Sequence, residues 1–406
     1  MGPGLSRPGP FAMTQPNQAD LALTVSFAPS MGHLDRQEWN RLAAGAPPFM
    51  RWEWLNLLES CGAVSTEAGW MPAHCVLRVC DKLVAAAPLY VKGHGQGEFV
   101  YDQLWADVAQ RLDLPYYPKL VAVSPFTPVA GYRFLTAPGF SQRGMAGAVL
   151  EGMDHLVEAN EFSGLHVLFA QDEFADDLES YGLTAWEHQG FIWENQGYRF
   201  FEDFLEVFRT GQRKNIRRER RALRESGVRV EIVDGEDAPD FWFELMHHYY
   251  ADTCSKFGEW GCKYLPLSFF QGLADVFREH VAFAAGFLEG REEPVGLSLL
   301  IHGEGELYGR YSGAALEIPF LHFELCYYAP IAWAIERGIL SFDPGMGGEH
   351  KPRRGFNSRV TRSLHRFAHP LMAHVFERHI PEINALTREH VQELQDLCAF
   401  RRGGRP

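Results

Sequence analysis

The sequence lacks the signatures by which several protein classes announce themselves. Its seven cysteines, at 61, 75, 80, 254, 262, 326 and 398, are odd in number and form no C-x-x-C pair. A disulfide framework and a four-ligand zinc site are therefore not expected, and the thiols read as buried and reduced in a cytoplasmic protein. No metal is expected elsewhere: His247 and His248 are adjacent and would point different ways on a helix. No apolar run approaches the roughly 18 residues of a membrane span. Cationic excess is missing too, because 52 acidic residues against 38 basic ones give a net charge of −14, which argues against coating duplex DNA. There is no long heptad segment, no G-x-S-x-G elbow and no reactive-cysteine signature, so a covalent acyl-enzyme is not expected. The first 18 residues, rich in Pro and Gly without an apolar core, read as a disordered leader, with Met13 as an alternative start.

What is present is a globular composition, 46% apolar and 22% charged over 406 residues, enough for two domains. Thirty Phe, fourteen Tyr and ten Trp supply two cores. "HGQGEF" at 94–99 returns as "HGEGEL" at 302–307, each after an apolar run and before an aromatic-rich one. Such self-similarity at a large offset predicts an internal duplication. Strands are expected at 72–79 and 83–92, a strand-and-loop stretch at 116–135, a helix at 146–162 and a buried strand at 164–170. In the second half a basic helix leads into strand 228–233, then a helical region, a hairpin, a third strand, a helix over 319–339 and a short strand at 340–345. Each half reads as helix, strand meander, helix, strand, a mixed α/β plan.

Three stretches can carry chemistry. "TGQRKNIRRERRALRESG" (210–227) holds seven cations against Glu219 and Glu225, with Thr210 as a candidate N-cap and Gly227 as the stop. Arg213, Arg217, Arg220 and Arg224 share one stripe; Lys214, Arg218 and Arg221 share the next. Either a nucleic acid or phosphate compensates them, or the helix lies on the chain's own acidic "FEDFLE" (201–206). "GMGGEHKPRRGF" (345–356) sets Glu349, His350, Lys351, Arg353 and Arg354 among glycines, a composition suited to anions, or else an ordinary polar loop. "GELYGRYSGAALE" (305–317) contains Arg310-x-x-Gly313-x-Ala315, a loose phosphate-loop pattern with no counterpart in "GEFVYDQLWA". In "LHFELCYY" (321–328), His322 and Glu324 are either bases for amine deprotonation or satisfied structural groups.

These motifs together resemble the FemAB-like group of the GNAT acyltransferase superfamily, named for peptidoglycan biosynthesis and recognition. The likeness runs from about residue 37 to 370. It lies in "APLYVKGHGQGEFVYDQLWA", similar to a P-x-Y-x-K-x-H-S-x-G-E segment, and in "YYPKLVAVSPFTPVAGYRFL" and "RKNIRRERR". It is strongest in "LYGRYSG", "LHFELCYY", "GGEHKPRRGF" and "TRSLH". The chain departs from the pattern at Ile192, where the group has His before Trp, at Ser312, where it has Trp, and in "PGMGGEHK". The resemblance implies two tandem GNAT-like lobes, each a mixed, mostly antiparallel sheet flanked by helices: a leader at 1–18, lobes at 19–200 and 201–385, and a C-terminal helix and tail at 386–406.

The expected activity is transfer of an acyl or aminoacyl group to an amine, on a peptidoglycan precursor or other peptide, from aminoacyl-tRNA or acyl-CoA. A CoA-dependent N-acetyltransferase and a non-catalytic peptidoglycan-binding module are the alternatives. Glu324, His322 or His350 is the expected base, and Tyr308 or Tyr311 the donor to the leaving group. Arg310, Glu349, Lys351, Arg353 and Arg354 are expected at the anion, and Lys92, His94 and Lys119 at the acceptor. Lys214, Arg217, Arg220, Arg221 and Arg224 are the candidate tRNA contacts.

Overall fold

The structure, a computed structural model, describes residues 11–13 and 23–401 apart from 257, 259, 260, 262 and 399. Cys262 and most of the expected leader lie outside the described residues. The chain forms two compact units, one of residues up to His188 with Thr361–Thr387, the other of Gln189–Val360 with the residues from Arg388 on. The expected division at 200/201, with a second lobe running unbroken to 385, differs from this. The C-terminal half of the strand Asn357–Phe367 pairs antiparallel with Gly164–Ala170, which returns that segment to the first unit.

In the first unit Leu23–Ala28, His74–Val79 and Lys82–Ala87 form an antiparallel meander, the last pair turning through Cys80 and Asp81 at positive φ. Pro88 supplies no backbone N–H and separates Lys82–Ala87 from Leu89–Lys92, which starts a second sheet. There Leu89–Lys92 pairs antiparallel with Lys119–Ala122, and Lys119–Ala122 runs parallel to Gly164–Ala170. The helix Gln142–Ala159 is capped by Ser141, whose hydroxyl accepts from the Gly144 N–H, and buries Met145, Val149, Met153 and Leu156 at helical spacing. It begins before the expected residue 146 because that cap lies upstream.

The second unit repeats the plan. Val228–Asp234, Val281–Leu288, Gly296–Gly303 and Glu306–Ala314 form an antiparallel meander, and Ser341–Asp343 adds parallel to the last. Alternation along Val281–Leu288 sends Phe283 against Trp242 and Phe243 of the helix Asp240–Lys256. Ala282 and Ala284 fall in the apolar clusters that contain Ile331 and Ala334, and Leu321 and Leu325, of the helical stretch 321–336. Both units thus carry antiparallel strands, a helix, then a strand parallel to the last meander strand. The duplicated mixed α/β fold read from the repeated phrases is present.

Both phrases follow the third strand of the plan. In the second unit the strands meet through Glu304 and Gly305, both at positive φ, a tight hairpin turn. In the first, residues 93–118, with the helix Gln103–Arg111, stand between the paired strands. The true counterpart of Glu306–Ala314 is therefore Lys119–Ala122, not "GEFVYDQLWA".

Candidate functional site

The second unit opens where its strands part. Glu306–Ala314 pairs with Ser341–Asp343 over three residues only, ending at Tyr308–Asp343. On its other edge the register passes from Leu300–Gly309 to Leu299–Tyr311, so Arg310 is a bulge. The helix that follows starts at Leu321, and its residues Glu324–Tyr328 form a π-helical turn, an irregularity that shifts side chains off the ordinary helical rows.

Two further openings flank this stretch, beside one of about 650 Å³ lined by Arg220, Arg224, Arg229, Arg291 and Glu324 among others. One, of about 590 Å³, is lined by Ser312, Gly313, Leu316, Leu321, His322 and Cys326 among others, and is mostly apolar. The other, of about 680 Å³, is lined by Glu219, Phe323, Glu349, His350, Arg353 and Arg354, with Gln212 and Asn215. The glycine-rich loop therefore brings four of its five expected residues to one cavity. His322 and Phe323, neighbours in sequence, face different openings, and the rings of His322 and His350 are 6.1 Å apart.

Individual roles follow from partners. His350 Nε2 is 2.9 Å from the Tyr327 hydroxyl. Burial, with Arg354, His322 and Lys351 nearby, lowers its pKa to about 4, so it is unprotonated at neutral pH. Arg354 lies 3.3 Å over the Phe323 ring and donates to Glu219, which also accepts from the Tyr328 hydroxyl at 2.6 Å. Lys351 is buried and donates to the Gly345 and Met346 carbonyls, so it closes the loop rather than facing either opening. Burial lowers its pKa to about 8 against the attraction of Asp343 and Cys326.

Several expected roles are corrected. Both Glu324 oxygens accept from Arg220, at 2.7 and 3.0 Å, so this carboxylate is a clamp and not a free base. Tyr308 is buried and donates to Glu306, and the half-buried Tyr311 packs against Tyr250 and Phe270; neither lines either opening. Thr210 is the first helical residue rather than the cap, while Gly227 at φ 78° does end the helix. Of the Arg310-x-x-Gly313-x-Ala315 stretch, residues 310–314 are strand. A Cβ at Gly313 would sit 2.5 Å from the Tyr249 carbonyl, and the Ala315 N–H already donates to Val295. Those groups are not free to cradle a pyrophosphate.

The basic helix Thr210–Glu225 lies on acidic neighbours of its own unit, as one of its two readings held. Arg213 pairs with Glu206, Arg217 with Glu202, and Arg220 with Glu324. Lys214, Arg218, Arg221 and Arg224 remain exposed.

In the first unit Lys92 and Lys119 are direct cross-strand partners, and both are buried. Lys119 donates to Glu98 at 2.7 Å and to Asp102, which also accepts from the Tyr116 hydroxyl. The carboxylates outweigh burial and hold its pKa above the usual lysine range. Lys92 has no carboxylate at bonding distance; it donates to the Gln96 carbonyl and lies 3.6 Å over Trp70. Burial drives its pKa down to about 7. His94 is bonded to the Ala68 carbonyl and to Lys92. Both lysines, expected at the acceptor, are buried and hold contacts within the unit.

Sequence reasoning missed Cys326. Its sulfur lies 3.4 Å from His322 Nδ1, four residues back on the same helix, and only that spacing in "LHFELC" signalled it. It missed Glu219, Tyr327 and the Glu98–Asp102 pair as well. Among the described residues no cluster of three or more His, Cys, Asp or Glu could hold a metal, and no helix is long and apolar enough to cross a membrane.

The model of the FemAB-like family, described as peptidoglycan biosynthesis/recognition, matches residues 30–402. No curated protein matches. Among solved structures FemX is 12% identical with a TM-score of 0.51, over 85% of this chain and 99% of FemX. A conserved protein of unknown function from Bacteroides thetaiotaomicron VPI-5482 is 10% identical with a TM-score of 0.50, over 84% of this chain and 98% of its own. A tandem GNAT protein from the clavulanic acid biosynthesis pathway is 11% identical with a TM-score of 0.44, over 86% of this chain and 99% of its own.

Proposed function

The chain belongs to the FemAB-like family, and from that premise we propose that its second unit transfers an aminoacyl group to an amine of a peptidoglycan-type peptide. The carrying observation is the pair of openings lined by the adjacent residues His322 and Phe323, with the rings of His322 and His350 6.1 Å apart. Transfer between two substrates needs two compartments sharing one reacting point. The apolar opening suits the acyl side chain. The polar opening, with Arg353 and Arg354 opposed by Glu349 and Glu219, suits a peptide carrying both an amine and carboxylates. The amine must lose a proton as it attacks, and His322 and His350 are the two imidazoles at the junction.

An ester on tRNA is the donor class this reading favours. The exposed Lys214, Arg218 and Arg221 supply a stripe for a phosphate backbone, with Arg224 exposed beside it, whereas Arg217 and Arg220 of the expected set are held by Glu202 and Glu324. Acyl-CoA is disfavoured by the engagement of Gly313 and Ala315. The test offers charged tRNA or acetyl-CoA together with an amine-bearing stem peptide and measures amide formation. Amide from tRNA alone is expected. Amide from acetyl-CoA alone would overturn the donor, and peptide binding without product from either would overturn the transfer.

A further inference from the structure

Cys326 sits in the π-helical turn, where its sulfur faces His322 Nδ1 at 3.4 Å. The side chains of Ser312 and Ser298, on adjacent strands, also favour its thiolate. Ser298 and Ser312 are cross-strand partners, and Ser298 is buried. The Cys326–His322 pair therefore stands at the wall of the apolar opening, which Ser312 also lines. A thiol that only filled the core would need no such pairing.

We propose that Cys326 is a nucleophile that carries the acyl group as a thioester, with His322 as its proton partner. This rests on the acyl-transfer reading above. The Cys326 sulfur attacks the donor's carbonyl carbon; the C–S bond forms and the ester C–O bond breaks. The leaving oxygen takes the proton from the His322 imidazolium, leaving neutral His322 and a free alcohol. The acceptor amine then attacks the thioester; the C–N bond forms, the C–S bond breaks, and the amine proton passes to His322. The thiolate–imidazolium pair is restored, and no other reactant is required.

The electrostatics agree with the geometry. Burial opposes ionisation of Cys326, but His322 and the two hydroxyls outweigh it and hold the thiol below its ordinary range. The thiolate in turn raises His322, against burial and against Lys351 and Arg354. Lys256 and Glu317 also line this opening. Ala314, Leu316, Ile318, Leu321 and Leu325 give it the apolar wall that an acyl side chain would fill.

The test uses p-nitrophenyl acetate, a small activated ester that needs neither tRNA nor acceptor. The full chain should release a burst approaching one equivalent of p-nitrophenolate, with the acetyl group on the peptide that contains Cys326. Cys80→Ser, which removes an exposed thiol, should keep the burst, and Cys326→Ser should lose it. His322→Gln should slow it about tenfold or more while circular dichroism is unchanged. Raising the pH should partly restore the His322→Gln rate, which a merely structural histidine would not predict. A burst that survives Cys326→Ser, or that vanishes in Cys80→Ser, overturns the proposal. So does aminoacyl transfer at the wild-type rate in Cys326→Ser, which would leave the transfer reading standing. A burst at Cys326 with no amide from any donor would do the reverse: the nucleophile stands and the transfer reading falls.

Discussion

After the third strand of each unit the chain writes nearly the same phrase and then does two different things. In the second unit Glu304 and Gly305 turn it straight back into Glu306–Ala314. In the first, Lys92 and Lys119 sit opposite each other across the same kind of antiparallel pair, but residues 93–118 intervene. That insertion folds Glu98, Asp102 and Tyr116 onto Lys119. Gly95 allows the approach, since a Cβ there would lie 2.6 Å from the Tyr117 hydroxyl and 2.8 Å from Asp102. The first unit therefore turns its charges inward and closes over them. The second, with the short turn, keeps Arg353, Arg354, His350 and His322 at openings. One plan buries its charges in one copy and leaves them at openings in the other.

Breaking the inward cluster should have the largest effect. Lys119→Ala leaves two carboxylates buried with their cation gone, and loss of one partner from such a group costs about 3–5 kcal/mol. Urea unfolding should show it as a large fall in midpoint, and adding Glu98→Gln with Asp102→Asn should recover part of the loss. A wild-type midpoint for Lys119→Ala would mean that the cluster does not hold the insertion. Arg220→Ala tests the second unit in the same way. Glu324 is buried and among the described residues its donors all come from Arg220, but that arginine is about a quarter exposed and water can enter, so roughly 2–3 kcal/mol is expected. Glu324→Gln should cost less and leave acyl transfer measurable, because a clamp tolerates loss of charge where a base does not.

How much of this could be read in the sequence depends on the range of the interaction. Period-two and helical patterns placed most strands and helices, because those signals are local. The "FEDFLE" segment was legible as the counterpart of the basic helix because both are short, dense and close along the chain. The return of Thr361–Thr387 to the first unit was not, since its partner Gly164–Ala170 lies far away in sequence. Glu324 looked like a base because a lone acid in an apolar seam is what a base looks like, and only Arg220 across the fold distinguishes them. Cys326 hid for the opposite reason: a cysteine among Leu, Tyr and Phe reads as packing until Ser298 and Ser312 are brought to it.

The two buried lysines sharpen the comparison through pH. Lys92 has its pKa lowered to about 7, well under the roughly 10.4 of an unfolded lysine. Between those values the unfolded chain binds a proton that the folded chain does not, so folding should gain stability as pH rises from 7 towards 10. The Lys92 contribution to that slope is about 1 kcal/mol per pH unit. Lys92→Met should remove it, visible as curves of unfolding free energy against pH that differ in slope between pH 7 and 10, are furthest apart near neutrality and draw together towards pH 10. Lys119, whose pKa is raised, contributes stability that is lost only as pH climbs past the usual lysine range. Parallel curves for wild type and Lys92→Met would show that Lys92 stays charged over Trp70.

The smallest effect is expected where the charges are most conspicuous. Arg217 and Glu202 are paired, yet their side chains are 45% and 66% exposed, so water and salt screen the attraction. Arg217→Ala should change unfolding free energy by no more than about 0.5 kcal/mol. Arg220, one turn along the same stripe, should cost several times that for the same substitution. The contrast separates two uses of a basic helix that composition cannot distinguish, a buried clamp and a solvated face. It also bears on tRNA. If Lys214, Arg218 and Arg221 form the contact, Lys214→Glu with Arg221→Glu should weaken tRNA binding in a salt-dependent way while Arg217→Ala leaves it nearly unchanged. Equal losses from both would mean that the Glu202 pair opens to bind, and that the helix presents one continuous cationic face instead of two.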